Sequence, residues 1–136
     1  MGDALDTAVL EAILADDRVV MLTTMDAGGR LRSRPMEVLE VDHDGTLWLF
    51  LDRSSQLCRE LLAHAQVSVA VYRPDRGTGI AITGQVMLRD DPGLVRELWE
   101  ERHSSWFPRG PLATPLVLLC IVPEAVRTWT GVGRAD

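Results

Sequence analysis

Three arginines, Arg30, Arg32 and Arg34, recur at every second position. On a strand, that spacing aims all three guanidiniums at one face of the sheet. Such a row repels itself unless anions meet it. Two readings follow: a row left solvated or paired with nearby acids such as Glu37 and Glu40, or a phosphate site using arginine's planar, bidentate donors. Spacing alone does not choose between them. A nucleic-acid reading is weaker, because the row has no interleaved aromatics and the chain carries a net charge of −6.

The remaining reactive side chains are scattered. His43 lies in a polar turn, His64 near a helix end and His103 just past another. None has a Ser, Cys or acidic partner at a catalytic spacing, so each reads as a solvated or capping histidine rather than a general base. Nor do the three share the close spacing of metal ligands, and no metal site is expected. Cys58 and Cys120 sit far apart among apolar neighbours, the pattern of small buried hydrophobes in a reducing cytoplasm. Gly77 and Gly79 fall between two strands, where they make a turn rather than a phosphate loop.

The elements that must position these groups follow from periodicity. Leu5, Val9, Ala12 and Ile13 mark one face of an N-terminal helix ending near Asp16-Asp17. Arg18 to Met25, the turn Asp26 to Gly29 and the extended run Arg30 to Val41 read as a hairpin. After the turn Asp42 to Gly45, Thr46 to Leu51 is a continuous apolar strand of the kind buried on both faces, which places Trp48 in a core or an interface. Ser54 and Ser55 are candidate N-caps for a helix through Ala65 with an inward stripe of Leu57, Leu61 and Leu62.

Gln66 to Arg73 alternates as a strand, and Ile80 to Arg89 is another, with Gly84 marking a bulge or a close backbone approach. Asp91-Pro92 opens a helix with apolar positions Leu94, Val95, Leu98 and Trp99. Trp106 to Pro111 reads as a loop whose Trp106 and Phe107 either anchor packing or cover a ligand groove. Leu116 to Val122 is a last core strand, extended past Pro123 to Trp129.

About six strands and three helices with no repeat or linker give one α+β, mainly β, domain over residues 1–136, built on an antiparallel sheet or barrel. The length of 136 residues suffices for a core without disulfide or metal staples. The acidic N-terminus lacks the positive charge of a signal peptide and no apolar run approaches a membrane span, so a soluble cytoplasmic protein is expected. All 14 basic residues are arginine, with no lysine and no asparagine, a composition read as genomic bias unless a position makes it matter.

Several stretches fall in a telling order: Val19 to Thr24 with Gly28-Gly29, Ser33-Arg34-Pro35-Met36, Leu47 to Phe50, Ser54-Ser55 opening a helix, and Gln66 to Tyr72. Ile82 to Val86, Glu97-Leu98-Trp99, Trp106-Phe107-Pro108-x-Gly110-Pro111 and Trp129 follow. Over nearly its whole length the chain resembles the pyridoxamine-phosphate-oxidase-like flavin-binding split barrels, in their general stress protein branch. That resemblance implies a six-stranded antiparallel split β-barrel with flanking helices, a homodimer and an FMN in each of two grooves between subunits.

It further implies an FMN-dependent oxidoreductase acting on an unknown small molecule, with the isoalloxazine carrying the electrons. The strand arginine that holds the phosphate carries over to Arg34, and Pro35 and Met36 would lie along the flavin ring. Ser54, Ser55 and the adjacent Gln56 would meet the phosphate where a helix N-terminus also favours an anion. Trp48 belongs to the same expected site. Leu51 stands where the family usually has a threonine, and Leu57 where it has the phosphate lysine. These two residues favour the competing expectation, a non-catalytic stress-response or ligand-binding protein with weakened flavin affinity. A deazaflavin or haem-like ligand is a third.

Overall fold

A computed structural model describes Leu14 and residues 18–131. The expected N-terminal helix positions Leu5, Val9, Ala12 and Ile13 lie outside the described residues. Among the described residues, seven strands make one antiparallel sheet: β1 (Val19–Met25), β2 (Leu31–Glu37), β3 (Glu40–Val41), β4 (Leu47–Asp52), β5 (Gln66–Arg73), β6 (Thr78–Arg89) and β7 (Leu116–Thr130). Between them lie helices α1 (Gln56–Ala63), α2 (Pro92–Leu98) and α3 (Gly110–Ala113), with a 3-10 turn over Glu101–Ser105.

The strand order is β2-β1-β5-β6-β7-β4-β3, so β2 and β3 occupy opposite ends of the sheet. In the chain, only Val38 and Leu39 separate them. A sheet whose two ends are joined by two residues must curl until they meet. The backbone hydrogen bonds show the hand-over: the Val38 N–H donates to the Arg18 carbonyl beside β1 at 2.8 Å, and the Leu39 N–H donates to the Trp48 carbonyl of β4 at 2.7 Å. The extended run Arg30 to Val41 is therefore one length of chain that changes partner midway. Counted as one bent strand, β2 and β3 reduce the seven strands to the six of the expected split barrel.

Alternation decides what faces inward. Leu22, Leu47, Leu49, Leu51, Ile82, Leu119 and Ile121 fill the barrel interior, all nearly or fully inaccessible. At about 1.5–3 kcal/mol for each buried aliphatic side chain, this interior is the main favourable term in the fold. The outward side chains of β4 and β7 meet a second core, in which Phe50 and Leu118 pack with Val95 of α2 and are flanked by Trp48, Trp99 and Phe107. Two cores on its two sides explain why β4 reads as unbroken apolar sequence.

Local chemistry sets the boundaries of the helices. Ser55 caps α1, its hydroxyl accepting from the Cys58 N–H at 3.1 Å, and Asp91 caps α2 by accepting from Leu94 N–H, with Pro92 in the first turn. The β6–β7 register shifts at Thr83/Gly84, where Gly84 opposes Pro123 and Thr83 opposes Ala125. Glu124 is thus the extra residue on β7, and a Cβ at Gly84 would lie 2.3 Å from the Val122 carbonyl oxygen. Both parts of the expectation for Gly84, bulge and close approach, are present. The segment expected as a loop near Trp106 departs from it in part, because the 3-10 turn and α3 begin to coil on either side.

Candidate functional site

Two arginines of the period-two row do share a face. Arg32 pairs across the ladder with Thr24, and Arg34 with Leu22, a fully buried inward residue. Their guanidiniums meet neither Glu37 nor Glu40 but Glu60 of α1. Arg34 Nη2 lies 3.1 Å from Glu60 Oε1 and Arg32 Nη1 lies 3.3 Å from Oε2. Thr24 Oγ1 accepts from Arg34 Nη1 at 3.0 Å and donates to Glu60 Oε1 at 2.9 Å, and Gln56 Nε2 donates to Oε2 at 3.4 Å.

Glu60 is only 2% exposed. Burial pushes its carboxyl pKa up, but the hydrogen bonds from Thr24, Gln56 and Arg34 and the charge of Arg32 outweigh burial and leave it below its ordinary value. The cluster therefore contains a resident anion. It also keeps donors in reserve: a guanidinium has five N–H groups, and Arg34 commits two of them here. Arg32 is half exposed and Arg34 about one-fifth, so both remain open to solvent on one side.

The start of α1 adjoins this pair through Gln56. Ser54 donates its hydroxyl to Asp52 Oδ1, and Ser55 donates to the Asp52 carbonyl. Arg59 reaches back to the Ser54 carbonyl and to Gln56 Oε1.

A second cluster sits where β2 ends. Glu37 binds the Arg102 guanidinium and accepts from Trp106 Nε1 at 3.1 Å, which fastens the loop to the barrel. His103 beside it is buried, and its Nδ1 accepts from the Glu100 N–H at 2.9 Å, so the imidazole is neutral with its proton on Nε2. Burial and the Arg102 charge hold its pKa below the usual histidine value, against the opposing charge of Glu100. Nε2 lies 3.4 Å from Glu37 Oε2 without a hydrogen bond. These groups and Met36, Leu39, Phe50, Trp106 and Phe107 line a cavity of about 30 Å³, room for one water.

The pyridoxamine 5'-phosphate oxidase like family matches residues 6–135. The chain belongs to that family. Solved structures agree in fold: a Clostridium acetobutylicum protein related to general stress protein 26 superposes with a TM-score of 0.75 at 20% identity, over 93% of this chain and 91% of that one. The general stress FMN/FAD binding protein of Xanthomonas citri gives a TM-score of 0.72 at 24% identity, over 94% and 90% of the two chains. An F420 reductase gives 0.65 at 21% identity, over 86% and 94%. Among curated protein sequences, none matches this chain.

For a member of the pyridoxamine 5'-phosphate oxidase like family, the expected site residues divide sharply. Arg34 and Gln56 meet at Glu60, and Ser54 and Ser55 open the same helix. Pro35 points to the other face of β2, and Met36 packs against the barrel core and lines the small cavity. Leu51 is inside the barrel, and Leu57 packs against the same core from α1. Trp48 faces the second core, donates Nε1 to Asp42 at 3.2 Å and carries Arg89 over its ring. Sequence reasoning included Arg32 in the arginine row but missed Thr24 and above all Glu60. One signal was available: Glu60 falls on the inward stripe with Leu57 and Leu61, and a carboxylate on a buried helical face requires cations opposite.

Among the described residues, no three His, Cys, Asp or Glu side chains are grouped as for a metal ion. No helix among them is long and apolar enough to cross a membrane.

Proposed function

We propose that this protein binds FMN and serves as a flavin-dependent oxidoreductase for a small molecule, as a homodimer in the cytoplasm with a ligand groove at the subunit boundary. The observation that carries the reading is the Arg32–Arg34 pair, gathered by Glu60 beside the amino end of α1 in a chain of this family. The residues fit a phosphate: two planar guanidiniums with uncommitted donors and a helix start lie together. A structural neighbour described as an FMN/FAD binding protein adds weight to the flavin class.

In this reading, Arg34 and Arg32 hold the phosphate, and Thr24 and Glu60 fix the two side chains in place. When bound, the isoalloxazine supplies the electron exchange, and no side-chain acid–base constellation is required. The test is direct. Freshly purified protein should show the two visible absorption bands of oxidised flavin, or quench the fluorescence of added FMN. Arg34→Ala should weaken FMN by about tenfold to a hundredfold, the loss expected of roughly 1.5–3 kcal/mol of charge-assisted hydrogen bonding. A colourless protein that leaves FMN fluorescence unquenched would sink the reading. Light-scattering mass on the same sample tests the dimer; a protein that stays monomeric when FMN is added contradicts it.

A further inference from the structure

We propose that Glu60 sets the charge this site accepts, favouring a singly charged, diester-type phosphate over the doubly charged terminal phosphate of FMN. The inference rests on the phosphate reading of Arg32 and Arg34 and refines it. Two guanidiniums share one buried carboxylate, so the cluster offers a single net positive charge. Leu57 turns into the core and adds no charge.

The nearby helix start changes this balance little. Asp52 accepts from the Ser54 hydroxyl while Arg59 reaches the Ser54 carbonyl, so these opposite charges offset one another. The amino end of α1 contributes only a fraction of a charge. Glu60 remains ionised at neutral pH, because the groups around it hold its carboxyl below the ordinary range.

A phosphomonoester carries about −1.5 to −2 near pH 7, whereas a diester carries one negative charge. The second charge of a monoester has no cation of its own in this cluster and is repelled by the carboxylate behind the arginines. A diester matches the single charge on offer. The same carboxylate cannot move away, since Thr24, Gln56 and both arginines hold it.

Three probes separate the possibilities: FMN, the monomethyl phosphate ester of FMN, and riboflavin, each titrated by fluorescence into the wild-type protein, Glu60→Gln and Arg32→Gln. The wild type should bind the methyl ester about threefold to fivefold more tightly than FMN, the effect of one partly screened charge. Glu60→Gln should move that ratio toward FMN and Arg32→Gln should move it further toward the ester. Because the readout is a ratio, a general loss of packing leaves it unchanged, and the two variants test it in opposite directions. FMN binding more tightly than the ester in the wild type, or a ratio unmoved by either variant, overturns the charge assignment and leaves the flavin reading standing. Failure of all three probes to bind overturns the flavin reading itself.

Discussion

Two buried ionisable side chains respond to acid in different windows, and the difference follows from their surroundings. His103 is held neutral by burial and by Arg102, so its folded pKa lies below the unfolded value of about 6.5. The unfolded chain then binds more protons, and the stability tied to this residue is complete above that pH and is lost as pH falls through the folded value. Glu60 behaves alike in sign at lower pH: its contribution is present above the ordinary carboxylate value of about 4.3 and disappears as pH falls through its depressed one. Thermal unfolding followed from pH 7.5 to 5 should show a falling Tm, and His103→Gln should flatten that fall. An equally steep fall in the variant would show that another group is responsible. Of the two expectations for this histidine, solvated or capping, the neutral imidazole fulfils the second and burial against Phe50, at 5.1 Å between ring centres, rules out the first.

At the scale of elements, chain-local signals were legible and partner choice was not. Alternation located β5, β-branched and apolar composition located β1, unbroken apolar sequence located β4 and the first half of β7, and capping chemistry located α1 and α2. The division of Arg30 to Val41 was hidden because both halves are extended; only the exchange of partner between Val38 and Leu39 separates them. The candidate site was half legible for the same reason. The arginine row announced itself, but its partner comes from α1, 26 residues beyond Arg34, whereas the acids close in sequence lie elsewhere. Gly84 was readable because a lone glycine in a strand has few explanations. Gly84→Ala would force its Cβ against the Val122 carbonyl, and backbone on both sides must shift. A loss of about 1–3 kcal/mol in urea unfolding is expected, as for other overpacked sites. A cost within experimental error would mean that the bulge yields easily.

The molecule as a whole is a barrel interior enclosed by a curled sheet, with a second core packed outside β4 and β7. The two share strands, and unfolding one should expose the other. Leu119, at 0% exposure in the barrel interior, is the sharper probe of this coupling. Leu119→Ala should cost roughly 2–5 kcal/mol, and tryptophan fluorescence from Trp99 and Trp48, which flank the second core, should change in the same transition as far-UV circular dichroism. Separate transitions would show that the two cores melt independently.

The junction at Val38 and Leu39 also sets how the chain can vary in length. The turns at Asp26 to Gly29 and Asp42 to Gly45 connect neighbouring strands at the rim, where extra residues loop into solvent. Between Glu37 and Glu40, no such slack exists, because adjacent amides are committed to strands from the two ends of the sheet. A single inserted residue there would turn the side chains that follow it to the opposite face. It would also pull Glu37 out of step with Arg102 and Trp106 on one side, or Leu39 out of step with β4 on the other. Natural variants of this protein should accordingly gain and lose residues at the rim turns and keep a fixed count across the seam.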